Sequence, residues 1–183
     1  MTVELFGGSF DPPHIGHEIA VNAINDSLHV NRIFVTPTFI SPFKKEYFVK
    51  PYLRLFWLKK LFTSYKNVTI LDYEIRQHKP TPTIQTVKYI QHCYNPSKIY
   101  LVVGADILES FHLWHSYSEL MKMVEVVVLT RGGIKVPKDL KKIDINVNIQ
   151  SSNLRVSFNE KFIPIQIRKD VVDFYKEKNG KKN

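Results

Sequence analysis

Short apolar runs rich in β-branched residues recur along the chain, and segments with the apolar spacing of helices separate them. The runs predict six strands, at 3–6, 32–36, 68–71, 99–103, 124–130 and 145–149. The intervening segments predict helices at 17–28, 52–62, 82–93 and 117–123. Strands that alternate with helices form a mostly parallel sheet, so the predicted fold class is α/β, with helices on both faces of the sheet.

Two prolines indicate where predicted helices begin. Pro51 is expected at the first position of the second helix, since proline is favoured there. Thr81 is expected to cap the third helix, with Pro82 at its first position.

The carboxyl ends of parallel strands meet at one edge of the sheet, and ligands bind in the crevice there. We therefore expect the functional site in the loops that follow the first, second, fourth and sixth strands. The loop at 37–50 is long and carries three lysines, and it is predicted to be mobile.

The loop after the first strand has the sequence G-G-S-F-D-P-P-H-I-G-H, from Gly7 to His17. Gly7 and Gly8 allow a tight turn close to a ligand, and the following helix offers unpaired N–H groups and a positive dipole end. His14 and His17 can donate hydrogen bonds to phosphate oxygens, and Gly16 between them leaves space for a nucleotide. The alternative is that the glycines and prolines form an ordinary turn and the histidines cap or pack.

A second group of candidate residues follows the fourth strand. A glycine followed by an acid at this edge, Gly104 and Asp106, suits the binding of a ribose, whose hydroxyls donate hydrogen bonds to the carboxylate. Asp106 could instead cap the next helix. Trp114 lies among polar neighbours, where an exposed indole face could stack on a planar ring, although it could also be a core residue.

A third group follows the last strand in the segment I-Q-S-S-N-L-R. Ser151 and Ser152 supply two hydroxyl donors, and Arg155 supplies a planar cation suited to a bidentate phosphate contact. The same letters would also fit an ordinary capped helix start.

These segments resemble a known group of enzymes. The segment 7–17 is similar to the phosphate-binding motif of the nucleotidyltransferase superfamily, and 149–155 resembles that superfamily's I-S-S-T-x-I-R. The segment G-A-D-x-L-x-x-F-H-x-W-x-x-Y-x-E-L at 104–120 resembles the bacterial nicotinate-nucleotide adenylyltransferases. The resemblance implies a Rossmann-like nucleotidyltransferase fold and adenylyl transfer from ATP to nicotinate mononucleotide, which forms nicotinate adenine dinucleotide and pyrophosphate.

The resemblance also implies roles for individual residues. In that family the tryptophan at the position of Trp114 stacks on the pyridine ring of nicotinate mononucleotide. Segment 81–86 resembles the family's S-Y-T-x-x-T, with Pro82 in place of tyrosine. Because proline lacks an N–H group, the amides of Thr83 and Ile84 are the expected donors to the nicotinate carboxylate.

The remaining implied roles concern ATP. His14, His17 and Arg155 are expected to be catalytic. The residues expected to bind ATP or the second substrate are Gly7, Gly8, Ser9, Phe10, Lys44, Thr83, Gly104, Asp106, Trp114, Arg131, Ser151 and Ser152. Lys44 matches the lysine of the family's P-P-H-K element, and both Lys44 and Arg131 could instead be solvated surface residues. Mg²⁺ is expected to arrive with ATP, and Asp11 is expected to bond its own loop rather than a metal.

Composition limits the class of protein. The chain has 183 residues, of which 44% are hydrophobic, and it is predicted to form a single domain over 1–183 with a frayed basic tail at 176–183. A lone cysteine, Cys93, excludes an internal disulfide and favours a cytoplasmic location. The first strand begins too early for a signal peptide, and no apolar run is long enough to cross a membrane.

Three alternative functions remain open. Nicotinamide mononucleotide differs from the nicotinate substrate by an amide in place of a carboxylate, and another adenylyltransferase of this fold could act on phosphopantetheine. A net charge of +9 also fits a non-catalytic nucleic-acid-binding domain, although a positive field equally serves an enzyme with two polyanionic substrates. No nucleic-acid or membrane partner is expected, and a homo-oligomer is left open.

Overall fold

A computed structural model describes residues 1–42, 44–131, 136–147 and 149–180, without the side chains of Arg131 and Asn179. Its six strands are β1 (Thr2–Gly8), β2 (Arg32–Pro37), β3 (Val68–Ile70), β4 (Lys98–Gly104), β5 (Glu125–Arg131) and β6 (Lys141–Ile145). All pair in parallel in one sheet, in the order β3-β2-β1-β4-β5-β6. This is the strand order of the Rossmann fold, whose direction of winding changes between β1 and β4.

Eight α-helices lie in the described part of the chain. They are α1 (Ile15–Leu28), α2 (Pro51–Leu61), α3 (Tyr73–Arg76), α4 (Thr83–Tyr94), α5 (Leu108–Phe111), α6 (Tyr117–Met123), α7 (Ser151–Val156) and α8 (Arg168–Gly180). Short 3-10 helices occupy Ala105–Ile107 and Glu160–Phe162. None of the helices in this part of the chain is both long and apolar enough to span a membrane.

The sheet separates two hydrophobic clusters, as the alternation of side chains along each strand requires. On one face, Phe6 and Val102 pack with residues of α1, α2 and α8. On the other face, Leu5 and Leu101 pack with residues of α4, α5 and α6. The predicted α/β fold with helices on both faces is therefore confirmed.

Two predicted element positions are wrong. The sixth strand is Lys141–Ile145 rather than 145–149, because the apolar alternation is continuous there and strand pairing selects its first part. Lys141 also pairs its Nζ with Glu125 at 2.5 Å, which fixes the start of β6 beside the start of β5. Thr81 does not cap α4: its hydroxyl donates to Lys79 O at 3.2 Å, and Pro82 occupies the N-cap position in an extended conformation.

The C-terminal segment differs from the expected frayed tail. Helix α8 continues through Gly180, five residues into the segment 176–183. Lys178 donates from Nζ to Phe48 O at 3.0 Å, and its ammonium lies 3.6 Å from the centre of the Phe48 ring. This cation–π contact and hydrogen bond hold the last turns of α8 against the loop that precedes α2. Residues 181–183 lie outside the described residues.

Glu4 is a buried acid in the middle of the sheet. It lies on β1 between Ile33 and Tyr100 of the neighbouring strands and is fully buried. Neither carboxylate oxygen has a hydrogen-bond partner among the described residues, and burial raises the pKa of Glu4 from 4.5 to about 8.

We expect this acid to make the fold less stable as the pH rises. Between about pH 4.5 and 8 the folded protein holds one proton more than the unfolded chain, so its stability falls by about 1.4 kcal/mol per pH unit from this group. Glu4→Gln should therefore gain stability relative to the unsubstituted protein between pH 5 and pH 8, measured by urea denaturation at each pH. Glu160→Gln, at an exposed position, controls for the loss of one acidic group. A stability difference that does not change with pH would contradict the assignment.

Candidate functional site

The loop between β1 and α1 lies at the carboxyl edge of the sheet, beside the position where the strand order changes. Phe10 has a positive φ of 48°, and its side chain is only 1% exposed, packed edge-on against Phe6 with 5.7 Å between ring centroids. Because its ring is buried beneath the loop, Phe10 offers a ligand its backbone. Ser9 lies half-buried next to it.

The two histidines of this loop stack on one another. The ring centroids of His14 and His17 are 3.7 Å apart with an interplanar angle of 26°, and His14 is almost fully buried. The backbone N–H of His14 donates to His17 Nδ1 at 3.1 Å. An accepting Nδ1 places the proton of a neutral imidazole on Nε2, so Nε2 is the donor of the His17 ring.

Gly16 is required for this stack. A Cβ atom at Gly16 would lie 2.9 Å from His14 Nδ1 and 3.2 Å from Val147 Cγ1. The space that the sequence suggests for a nucleotide is therefore filled by the His14 ring and Val147. The hydrogen on this glycine permits the ring of one histidine to rest against the helix backbone.

Helix α7 brings the third group of predicted residues to the same loop. Arg155 Nη1 donates to Asp11 O at 2.7 Å, and the Ser151 hydroxyl donates to Pro12 O at 2.9 Å. Ser152 is exposed and its hydroxyl donates to Gln150 Oε1 at 3.3 Å. Two of the three predicted residues are thus in contact with the first loop, and the third lies beside them.

Lys44 reaches the site from the loop 38–50. Its Nζ donates to Ser9 Oγ at 3.4 Å. Burial lowers the pKa of Lys44, and the nearby positive charges of Arg155 and Arg54 lower it further, while the Asp11 carboxylate opposes them. Three cations therefore lie in one small region with two carboxylates, because Glu46 lines the same pocket as Lys44, Asp11 and Arg54. The excess of positive groups favours an anionic ligand.

Hydrogen bonds hold the C-terminal end of this loop, which the sequence predicts to be a mobile segment. The Asp11 carboxylate accepts hydrogen bonds from the N–H groups of Phe48 at 2.9 Å and Val49 at 2.8 Å. The carboxylate of Asp11 therefore binds the loop after β2 and not the loop after β1 in which Asp11 lies, because its side chain points toward the loop after β2.

Arg54 is the residue of this region that the sequence analysis missed. It is 1% exposed, and its guanidinium donates to carbonyls on both sides of the site. The available signal was its position in α2, on the same helix side as the buried residues Leu58 and Leu61. An arginine on an apolar helix face needs several hydrogen-bond partners.

The second predicted group lies after β4, on the other face of the sheet. The exposed carboxylate of Asp106 lies so close to Gly104 that a side chain at Gly104 would collide with it. No side-chain capping bond is made at the start of this 3-10 helix, so the capping alternative for Asp106 has no support.

Trp114 combines both of its predicted environments. Its ring packs edge-on against Phe111, with 4.9 Å between centroids and an interplanar angle of 82°, and its side chain is half-buried. The indole Nε1 is buried without a hydrogen-bond partner among the described residues. One edge of Trp114 is therefore held in the core, while part of the side chain remains accessible.

Helix α4 presents Thr83 at its first position. In its first turn, the Thr86 hydroxyl donates to Glu74 Oε1 of α3 at 2.7 Å, with both side chains buried. Burial raises the pKa of Glu74 to about 7, and the Thr86 hydrogen bond opposes that rise. Helix α4 is also joined to α6 by the ion pair of Lys88 and Glu119 at 2.7 Å.

The structure thus assembles the predicted residues in two sets. The contacts above join the first loop, Lys44, Ser151 and Arg155, whereas Thr83, Gly104, Asp106 and Trp114 belong to the face that carries α4 to α6. The backbone of Arg131 ends β5, but its side chain lies outside the described residues. No cluster of three or more metal-binding side chains occurs among the residues that the structure describes.

The strand order defines an α/β protein of the Rossmann type, and basic side chains gather at the loops of its switch point. The family model described as cytidylyltransferase-like matches residues 5–157. The probable nicotinate-nucleotide adenylyltransferase of Nitratiruptor sp. is 40% identical over 96% of this chain and 99% of its own length. That of Campylobacter jejuni strain 81-176 is 42% identical over 97% and 98% of the two chains.

A solved structure shares the fold. Plasmodium falciparum nicotinic acid mononucleotide adenylyltransferase, complexed with NaAD, matches with a TM-score of 0.77 and 19% identity, over 94% of this chain and 95% of that chain. The chain belongs to the nicotinate-nucleotide adenylyltransferase family, within the cytidylyltransferase-like group. The resemblance found in the sequence is thereby confirmed.

We expect Gly16→Ala to destabilise the fold, because the new methyl group must displace His14 or Val147. Overpacking of this kind costs about 1–3 kcal/mol in unfolding free energy, measurable by urea denaturation. Gly7→Ala is the matched control, since the atom nearest to a Cβ there is Thr36 O at 4.0 Å. Equal stabilities for the two variants would show that the His14 ring does not depend on the glycine.

Proposed function

We propose that the protein transfers the adenylyl group of ATP to nicotinate mononucleotide, forming nicotinate adenine dinucleotide and pyrophosphate for NAD biosynthesis. The observation that carries the proposal is the closure of the histidine loop by Arg155 and Ser151, which gathers phosphate-binding groups from both ends of the chain. The proposal agrees with the names of relatives that match almost the whole chain.

The triphosphate of ATP is bound in this proposal by the first loop and α7. His14 and His17 donate to phosphate oxygens, and the backbone at Gly7, Gly8 and Phe10 lines the loop beside them. Arg155, with Ser151 and Ser152, holds the departing pyrophosphate; its Nη1 bonds Asp11 O, and the guanidinium has further N–H donors for phosphate oxygens. Lys44, beside Ser9, adds a charge that lies against the same phosphates.

The reaction needs no general base. The 5′-phosphate of nicotinate mononucleotide is already an anion, attacks the α-phosphorus in line and displaces pyrophosphate. Catalysis must then come from orientation and from stabilisation of the charge that develops on the phosphoryl oxygens. The His17 Nε2–H and the Arg155 guanidinium are suited to that stabilisation, since both present N–H donors of fixed direction.

Magnesium enters this proposal as part of the ATP complex. The described residues hold no cluster of three metal-binding side chains, and the Asp11 carboxylate is occupied by two backbone amides. Mg²⁺ that arrives with ATP would take phosphate oxygens and water as ligands, as is usual for Mg²⁺ bound with a nucleotide. It would supply neutralisation of phosphate charge, while the protein orients the phosphates.

Nicotinate mononucleotide is bound on the α4 to α6 side of the sheet in this proposal. The accessible part of Trp114 stacks on the pyridine ring, and its packing against Phe111 fixes the indole plane in advance. The N–H groups of Thr83 and Ile84, at the positive end of α4, bind the carboxylate.

A cytoplasmic location is part of the proposal, because the reaction consumes ATP and Cys93 requires no oxidising compartment.

His17→Ala should lower kcat for pyrophosphate release by about 100-fold, because it removes one charge-stabilising donor. It also removes the acceptor of the His14 backbone N–H and the stacking partner of the His14 ring. The measurement is pyrophosphate release from MgATP and nicotinate mononucleotide, with the fold checked by circular dichroism. His92→Ala, an exposed histidine in the last turn of α4, is the control and should keep full activity. Full activity in a folded His17→Ala protein would contradict the proposed phosphate site.

Trp114→Ala should raise the KM for nicotinate mononucleotide by about tenfold or more and leave the KM for ATP unchanged, because stacking on an aromatic ring contributes about 1–3 kcal/mol per base. Trp114→Phe should recover most of the loss. Leu113→Ala, at a neighbouring side chain that is 69% exposed, is the control. An equal rise in both KM values, or a lower apparent kcat with both KM values unchanged, would contradict the stacking of Trp114 on the pyridine ring.

A further inference from the structure

The guanidinium of Arg54 is buried and binds only backbone carbonyls. Nε donates to Val49 O at 3.0 Å, Nη2 donates to Thr38 O and Phe39 O at 2.8 Å each, and Nη1 donates to Ser9 O. Burial of a cation is costly unless its donors are satisfied, and these four hydrogen bonds offset that cost for the Arg54 guanidinium. The side chain of Asp11 supplies the nearby negative charge.

These carbonyls come from three separate places in the site. Ser9 belongs to the phosphate-binding loop after β1, Thr38 and Phe39 begin the loop that carries Lys44, and Val49 ends that loop. One planar side chain therefore connects both ends of the Lys44 loop to the loop of the histidines. Lysine could not replace it, since it lacks the fixed fork of donors.

The bond to Ser9 O also sets the direction of a backbone donor. The peptide between Ser9 and Phe10 is planar, and in a trans peptide the C=O and N–H groups point to opposite sides. With the Ser9 carbonyl directed at Arg54, the N–H of Phe10 points away from α2. The positive φ of Phe10 is a further constraint on this turn.

We infer that Arg54 is a positioning residue for ATP: by binding Ser9, Thr38, Phe39 and Val49, it orients the Phe10 N–H and the Lys44 loop toward the triphosphate. It touches no substrate itself and acts through these two elements. The inference rests on the proposed function, because it assigns the triphosphate to this loop.

The test compares Arg54→Lys and Arg54→Met with Arg76→Lys, which changes an exposed arginine outside the site. Either Arg54 substitution should raise the KM for ATP by about tenfold or more and leave the KM for nicotinate mononucleotide within about twofold, because no Arg54 bond reaches α4 or Trp114. Loss of folded protein alone would instead lower the apparent kcat and leave both KM values unchanged.

A second measurement needs no substrate. Trypsin can cut after Lys44 and Lys45, and release of the loop ends should speed cleavage there by about fivefold or more relative to other sites, in Arg54→Lys but not in Arg76→Lys. If this local effect appears and the unsubstituted enzyme releases no pyrophosphate, the proposed function fails while the role of Arg54 in holding the loop stands. A folded Arg54→Lys with an unchanged KM for ATP and unchanged cleavage overturns the inference.

If neither Arg54 variant folds, hydrogen exchange on the unsubstituted protein decides. A saturating non-hydrolysable ATP analogue with Mg²⁺ should slow exchange of the Phe10 amide, as measured by NMR. Unchanged exchange at Phe10 in the saturated protein would show that this N–H does not face the triphosphate and would overturn the inference.

Discussion

Hydrogen bonds between one short loop and distant parts of the chain hold this site together. Asp11 uses its carboxylate to bind the amides of Phe48 and Val49, and its own carbonyl accepts from Arg155. Its neighbour Ser9 gives its carbonyl to Arg54. Without these bonds, the loop after β1 would still leave the sheet at the same edge, but the basic groups that surround it would not converge.

The parallel sheet places the loops of the candidate site next to one another. Parallel pairing puts the ends of β1 and β4 side by side, and the direction of winding changes between them, which is where folds of this kind bind ligands. The proposed phosphate site on one side and the proposed stacking surface of Trp114 on the other suit two nucleotides that must meet in line. Burial is the main cause of the lowered pKa of Lys44, and the nearby charges of Arg155 and Arg54 add to it against the opposing charge of Asp11.

Much of this arrangement could be predicted from the sequence, and the failures have physical causes. Glycines and histidines at a strand-to-helix junction carry their chemistry locally, so the sequence alone offers His14 and His17 as candidates. The start of β6 was not predictable, because the alternation of 143–149 fits more than one register and pairing with β5 selects one. The roles of Arg54 and of the Asp11 carboxylate depend on backbone groups that are distant in sequence. A pattern of side chains does not predict which backbone groups the fold brings together. The start of α4 was predicted one residue too early, because Pro82 occupies the N-cap position and Thr83 is the first helical residue.

The most direct test of the account is pyrophosphate release from MgATP with three acceptors in parallel: nicotinate mononucleotide, nicotinamide mononucleotide and phosphopantetheine. A site with donors at the start of α4 and a ring platform at Trp114 predicts rapid release with nicotinate mononucleotide and much slower release with the other two. Equal release with all three, or none with nicotinate mononucleotide, would contradict it.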